Sequence, residues 1–302
     1  MNHILTGGQF ADKKLLEKIF KRAEGFEKGK VKKLLKDKVV ATLFYEPSTR
    51  TRLSFESAAV RLDASVISAE NASANSSAFK GETIEDTIRV VESYADIIVM
   101  RHPEKGSAER AAKVSSVPII NAGDGAHEHP TQAMYDAYTI KKEMGHLDKL
   151  TIAFVGDLLY GRTVHSLLPM LSMYEGNNFI FVSPKELALP EEFKKELKEK
   201  NISFSETQNL EDALKNADVI YMTRVQKERF SNIEDYNKVK DLCLLKPEHL
   251  KLMKAKSAIM HPLPRVNEID SALDSDPRAA YFRQAKNGLY VRMALLCYAL
   301  GL

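Results

Sequence analysis

Hydrophobic positions along this chain fall into short β-rich runs separated by longer stretches with helical spacing. In the first half the runs are Val39 to Tyr45, Ser65 to Ala69, Asp96 to Arg101 and Val117 to Asn121. Between them, Arg52 to Leu62, Glu82 to Tyr94 and Ser107 to Val114 repeat apolar residues three and four apart, the period of a helix with one buried face. In the second half the pattern predicts strands over Leu150 to Gly156, Phe179 to Ser183, Ile202 to Ser205, Ala217 to Met222 and Ala258 to His261. Helices are predicted over Arg162 to Tyr174 and Pro190 to Lys200. Strands alternating with helices of this length build βαβ units, because parallel neighbours need a long crossover. The lysine-rich stretch Lys28 to Lys38 reads as the charged face of a further helix.

At 302 residues the chain is about twice a common domain length. The fold class expected is α/β, with two domains, each a mainly parallel sheet flanked by helices. The first domain is expected over residues 1–130 and the second over 150–285, with a connecting helix in 131–149 marked by the periodicity of Thr131 to Met144. The apolar stretch Lys286 to Leu302 is long enough to cross back and pack on the first domain. Polar clusters follow the strands: Glu46 to Thr51, Arg101-His102, Asp157 and Thr223-Arg224. Open parallel sheets bind ligands outside the carboxyl ends of their strands, so the active site is expected in the cleft between domains.

Composition narrows the chemistry. Hydrophobic residues make up 44%, enough for two cores, and 44 basic against 41 acidic residues leave a net charge of +3. That balance argues against a nucleic-acid groove or a polybasic membrane patch, so an anionic ligand must be met by a local cluster of cations. Cys243 and Cys297 have no CxxC spacing, which sets aside a zinc site or a disulfide framework and predicts two reduced, buried thiols. No apolar h-region opens the chain and no apolar run approaches 18 residues, so a cytoplasmic protein is expected. No GxxxxGK[ST] occurs, and Gly123-Asp124-Gly125 lacks a third glycine, which weakens a nucleotide-binding reading.

The most informative segment is Phe44-Tyr45-Glu46-Pro47-Ser48-Thr49-Arg50-Thr51-Arg52. A strand ends, Pro47 forbids its continuation, and a helix begins near Ser48 or Thr49. Unsatisfied N–H groups and the positive dipole end make such a start an anion site, and three hydroxyls with a guanidinium suit phosphate oxygens. The plainer alternative is an ordinary N-cap with Arg50 solvated. Concentrating five such side chains in one block favours the anion site.

Ser48-Thr49-Arg50-Thr51-Arg52 resembles the carbamoyl-phosphate motif of the aspartate/ornithine carbamoyltransferase family. Met100-Arg101-His102-Pro103, His129-Pro130-Thr131-Gln132, Gly156-Asp157 with Tyr160-Gly161-Arg162-Thr163, Met222-Thr223-Arg224-Val225-Gln226 and His261-Pro262-Leu263-Pro264-Arg265 resemble further family blocks, in the family's order. The resemblance implies transfer of a carbamoyl group from carbamoyl phosphate to the α-amine of L-aspartate, a step of pyrimidine biosynthesis. It implies phosphate contacts from Ser48, Thr49, Arg50 and Thr51, with Arg101 bridging phosphate and carbonyl oxygen. His129 is implied to donate to that oxygen, and Gln132 with the backbone near Pro262 and Leu263 to hold the carbamoyl amide. Arg162, Arg224 and Gln226 are implied to take the aspartate carboxylates, joined by Lys80 and Leu263. Ser76 to Glu82 resembles the family's mobile loop, with Ser76 and Lys80 reaching into a neighbour's site, although Ser77-Ala78-Phe79 depart from the family pattern. A homotrimer with shared sites follows from the resemblance. Relatives that join two trimers with zinc-bearing regulatory chains in a dodecamer resemble this chain around Met222 to Arg229, which keeps that assembly open.

The implied chemistry suits these groups. Both substrates are dianions near neutrality, and each charge pair at about 4 Å repels by roughly 1 kcal/mol in water and several-fold more in a drier site. Guanidiniums offset this and pair bidentately with phosphate and carboxylate. Donors aimed at the tetrahedral oxyanion (Thr51, Arg101 and His129) could supply about 3 kcal/mol each, and alignment of two substrates roughly 7 kcal/mol more. The reaction calls for no covalent nucleophile, metal or cofactor. Several motifs also have plain readings: His102-Pro103 as a structural turn, His261 to Pro264 as a rigid loop with a cis bond, Asp157 as cap of the helix near Gly161, and Lys80 as a solvated side chain. Ornithine as acceptor is disfavoured by Pro262 and by Arg224 with Gln226, which suit a second carboxylate. A non-catalytic scaffold is disfavoured because Arg50, Arg101, His129 and Arg224 are all present.

Overall fold

The computed structural model describes residues 2–71, 81–125, 127–225, 232, 234, 236 and 243–302. The chain divides into two compact units, Met1–Tyr135 with Lys286–Leu302, and Asp136–Ala285. The expectation of two α/β domains with mainly parallel sheets holds.

In the first unit β1 (Val39–Phe44), β2 (Ser65–Glu70), β3 (Ile97–His102) and β4 (Ile119–Asp124) form one sheet in the order β2-β1-β3-β4. All pairs are parallel, with Phe44 opposite Arg101. The strands β1, β3 and β4 are almost wholly buried, which is why Val39–Phe44, residues 97–100 and the start of β4 at Ile119 and Ile120 are mostly apolar; β2 is an edge strand and largely exposed. Among the described residues, the helices α1 (Lys13–Glu27), α2 (Thr49–Arg61), α3 (Ile84–Val91) and α4 (Ser107–Val114) accompany them. Ala41, Leu43, Ile98, Met100 and Ile119 of the sheet share a core with Ile84 and Ile88 of α3 and Ala108 and Ala111 of α4. The long helix α5 (Pro130–Met144) carries the chain from the first unit into the second.

The second unit holds β5 (Thr151–Val155), β6 (Asn178–Val182), β7 (Ser203–Thr207), β8 (Val219–Met222) and β9 (Ala258–Met260), parallel throughout and ordered β7-β6-β5-β8-β9. Helices α6 (Arg162–Leu171), α7 (Glu191–Glu199) and α8 (Leu210–Asn216) connect these strands, and α9 (Tyr281–Ala299) returns the chain to the first unit. One core joins Ala153, Val155, Ile180, Val182, Ile220 and Met222 to Leu210, Ala213 and Leu214 of α8. Phe154 and Phe181 stack with centroids 6.1 Å apart, while Tyr221 meets Phe154 edge-on.

Three readings of the periodicity are corrected. The sequence pattern gave no helix before residue 28, yet α1 buries Leu16, Ile19, Phe20, Ala23 and Phe26 along one face and is capped by Asp12, which accepts from Lys14 N–H at 2.8 Å. The lysine-rich stretch Lys28 to Lys38 is not a helix face. The helix stops at Glu27 because Gly29, at φ 76°, turns the backbone left-handed, and turns follow. The short α8 was also absent from the reading; Asn209 caps it by accepting from Asp212 N–H. Among the described residues no helix is long and apolar enough to cross a membrane.

Candidate active site

Parallel pairing places the ends of β1, β3 and β4 along one edge of the first sheet. Tyr45 N–H donates to Arg101 O at 2.9 Å, so the residues after β1 stay beside the end of β3. Ser48 is the N-cap of α2, but its hydroxyl makes no capping bond. It instead accepts from Arg101 Nη1 at 3.2 Å, while Arg101 Nε donates to Glu46 at 3.2 Å. The ordinary N-cap is therefore not what Ser48 supplies, and the first turn of α2 keeps its N–H groups without a side-chain cap. Thr49 and Arg50 are exposed there, and Thr51 is buried.

Arg101 is 14% exposed. Burial lowers its pKa, Glu46 opposes that, and the nearby charge of Arg50 pushes in the same direction as burial. A desolvated guanidinium beside a second one, only partly neutralised by one carboxylate, gains energy from a further anion. Arg52 points elsewhere: it reaches Glu56 at 3.3 Å and Glu70 at 2.8 Å. His102 is also occupied locally, its Nδ1 accepting Glu104 N–H at 3.1 Å and its ring edge-on to Tyr45.

The chain reaches His129 through a loop tied to one carboxylate. Asp124 accepts from Gly106 N–H at 2.9 Å, Glu128 N–H at 3.0 Å and Asn121 Nδ2 at 3.1 Å. Gly125 at φ 54° lets the loop pass close to β3, since a Cβ there would meet Pro103 O at 2.6 Å. His129 is buried, immediately before α5, and its carbonyl accepts from Gln132 and Ala133 N–H. Tyr135 OH donates to the Gln132 amide oxygen, which fixes that amide's orientation.

In the second unit β5 is followed by Gly156, φ 112°, where a Cβ would meet Thr223 O at 2.4 Å. Thr223 in turn donates its hydroxyl to Val155 O at 2.8 Å, and Arg224 follows it. Asp157 is buried and accepts Tyr160 N–H at 2.9 Å. The cap of α6 is Gly161, so Asp157 closes the preceding turn instead of capping the helix; Arg162 opens it. Leu187 and Val225 pack with Tyr160 beneath this loop.

After β9, the segment from His261 makes a closed turn. His261 and Glu268 are both buried, with Nε2 and Oε1 2.7 Å apart. Leu263 N–H donates to His261 Nδ1 at 2.7 Å, and Val266 and Asn267 N–H donate to Glu268 Oε2 at 3.0 and 3.1 Å. Burial raises the Glu268 pKa, yet its bond to His261 and these donors leave it below the ordinary carboxylate value. Leu263 sits at φ 57°, uncommon for a branched side chain, and the Leu263–Pro264 bond is cis, as the sequence allowed.

Of the residues singled out in the sequence, Ser48, Thr49, Arg50, Thr51, Arg101, His129 and Gln132 lie in the first unit, and Arg162, Arg224, Pro262 and Leu263 in the second. Ser76, Lys80 and Gln226 lie outside the described residues. Sequence reasoning gave no role to Glu46, Asp124 or Glu268. Their acidity is visible in the sequence, but their partners are set by tertiary contact. Among the described residues no three or more His, Cys, Asp or Glu side chains gather where they could hold a metal.

Residues 2–142 match the family model described as aspartate/ornithine carbamoyltransferase, carbamoyl-P binding domain. Residues 148–299 match that for the Asp/Orn binding domain. The aspartate carbamoyltransferase catalytic subunit of Clostridium kluyveri is 49% identical over 302 residues, covering 99% of this chain and 98% of its own. That of Bacteroides fragilis is 51% identical, covering 99% and 96%. The solved catalytic subunit of M. jannaschii aspartate transcarbamoylase superposes with a TM-score of 0.92 at 49% identity, over 100% of this chain and 98% of that one. Aspartate transcarbamoylase from Trypanosoma cruzi, solved in complex with carbamoyl aspartate and phosphate, gives 0.88 at 39% identity, over 98% and 94%. With both halves of the chain matched and near-complete relatives at about half identity, this chain belongs to the aspartate/ornithine carbamoyltransferase family.

Proposed function

We infer that this chain transfers the carbamoyl group of carbamoyl phosphate to the α-amine of L-aspartate, giving N-carbamoyl-L-aspartate and phosphate. The observation that carries the reading is the desolvated Arg101 guanidinium, 3.2 Å from the Ser48 hydroxyl at the start of α2. The first unit takes carbamoyl phosphate and the second takes aspartate. The phosphate lies against the α2 N-terminus, held by Ser48, Thr49, Arg50 and Thr51, and Arg101 spans to the carbonyl oxygen. His129 donates to that oxygen, while Gln132 and the Pro262–Leu263 backbone hold the amide. Arg162, Arg224 and Gln226 take the two carboxylates, with Lys80 and Ser76 supplied by a neighbouring subunit of a homotrimer.

The chemistry then balances simply. The amine lone pair forms the new C–N bond, the carbonyl π pair moves onto oxygen, and collapse of the oxyanion breaks the C–O bond to phosphate. One proton leaves the amine and balances the departing phosphate. Stabilising the oxyanion with preplaced donors is the main electrostatic contribution. Exposed Leu53 and Val60, one face of α2, and Ile67 on the edge strand β2 support association of copies.

The test is formation of carbamoylated product from carbamoyl phosphate with aspartate or with ornithine. Aspartate should be used at least a hundredfold better by kcat/KM, because the half-buried guanidiniums of Arg162 and Arg224, left facing an ammonium in place of a carboxylate, repel it. Equal use of both amines would refute the acceptor assignment.

A further inference from the structure

We propose that His261, held by Glu268, is a positioning residue for carbamoyl transfer: it fixes the Pro262–Leu263 backbone against which the carbamoyl amide is held. The inference rests on the reaction assigned above and adds a residue to it.

Two bonds define the ring's role. Leu263 N–H donates to Nδ1 at 2.7 Å, so Nδ1 must carry a lone pair. The ring proton is then on Nε2 and is donated to Glu268 at 2.7 Å. Glu268 spends its other oxygen on Val266 and Asn267 N–H. One imidazole and one carboxylate thus close the turn from 261 to 268 on itself, both almost fully buried.

What the ring holds is a residue that would not rest there unaided. Leu263 at φ 57° occupies the left-handed region, so its carbonyl direction depends on the surrounding bonds. The anchor continues inward. His261 N–H donates to Gln284 Oε1 at 2.9 Å, Gln284 Nε2 to Asp136 Oδ1 at 2.6 Å, and Tyr221 OH to Asp136 Oδ2 at 2.6 Å. These partners sit on α9, α5 and β8, so the loop is referenced to three elements of the second unit and not to solvent. A merely rigid loop would not need a buried, uniquely oriented imidazole at its first residue.

The side chains offer a discriminating set of variants. His261→Asn places an oxygen near the Nδ1 position and can still accept from Leu263 N–H. His261→Ala cannot. His261→Ala should lower kcat about a hundredfold, because misplaced reacting groups lose alignment, while inhibition by inorganic phosphate, bound in the first unit, changes less than twofold. His261→Asn should recover at least tenfold of that loss. Exchange of the Leu263 amide proton, followed by NMR, should be protected in the unaltered chain and in His261→Asn and fast in His261→Ala. Should His261→Ala fail to fold, Glu268→Gln carries the same decision, because its amide cannot accept all three bonds. A kcat within threefold of the parent, a parallel loss of phosphate affinity, or a Leu263 amide that exchanges freely in the unaltered chain would overturn the proposal. Failure of the unaltered chain to carbamoylate aspartate would overturn the reaction assignment instead, and the amide exchange would still decide what His261 holds.

Discussion

Gly156→Ala tests the reasoning at a single carbon. The added Cβ would lie 2.4 Å from Thr223 O and 2.6 Å from Thr223 Oγ1, about 1 Å inside ordinary contact. Displacing the obstacle strains two bonds: Thr223 N–H donates to Val155 O at 2.7 Å and its hydroxyl donates to the same carbonyl at 2.8 Å. The backbone itself sits at φ 112°, where an L side chain adds roughly 1–2 kcal/mol of strain. Overpacking against fixed atoms costs about 1–3 kcal/mol more. The second unit should therefore lose roughly 2–5 kcal/mol, a fall in its Tm of about 5–15 °C by calorimetry. Relief comes most cheaply by pushing Thr223 and Arg224 outward, so the aspartate KM should rise while phosphate inhibition stays put. A variant within about 1 kcal/mol of the parent, with an unchanged aspartate KM, would refute both the close approach and its link to Arg224.

Other expectations follow from the same geometry. Arg224→Ala should raise the aspartate KM about 10- to 100-fold, the worth of a charge-assisted pair, with phosphate inhibition unaltered; steady-state kinetics with phosphate as inhibitor reads both. Glu85 accepts two bonds from Arg110, at 2.7 and 3.1 Å, and these hold its pKa at about 2. Because the folded value lies below the unfolded one, this stabilisation is complete above about pH 4.5 and fades as pH falls toward 2. Arg110→Ala should thus cost up to about 1 kcal/mol at pH 7, a surface-pair magnitude, and progressively less as pH falls from about 4.5 through 2 in urea titrations. Burial pushes the thiols of Cys243 and Cys297 up to about 11, so neither should react with a thiol reagent at pH 8 until denaturant exposes both. Mixing Lys80→Ala with His129→Ala chains should restore part of the activity in verified mixed trimers; none at all would argue against shared sites.

Much of this fold is legible because parallel strands buried on both faces must be apolar along their length. The runs at Val39, Asp96, Leu150 and Ala217 could hardly be anything else. α1 escaped because Lys13, Lys14, Lys18 and Lys21 crowd its outer face and distract from Leu16, Ile19, Phe20 and Ala23 beneath. The same abundance of lysine made residues 28–38 look helical, although Gly29 already breaks the helix. At the site, cations were readable from their block because guanidiniums and hydroxyls packed at a helix start have few other uses. Glu46 and Glu268 were not, since a carboxylate in sequence does not reveal which cation or N–H it will meet.

The carboxylate of Asp124 has a consequence for the economy of turnover. Three donors from the turn before α4, from β4 and from the approach to α5 converge on its two oxygens. The ordering entropy of that stretch is consequently spent once, as the polypeptide folds, and not again whenever a substrate arrives. An amide at position 124 would keep the shape but offer one accepting oxygen in place of two, so each catalytic cycle would begin by reassembling the path to His129.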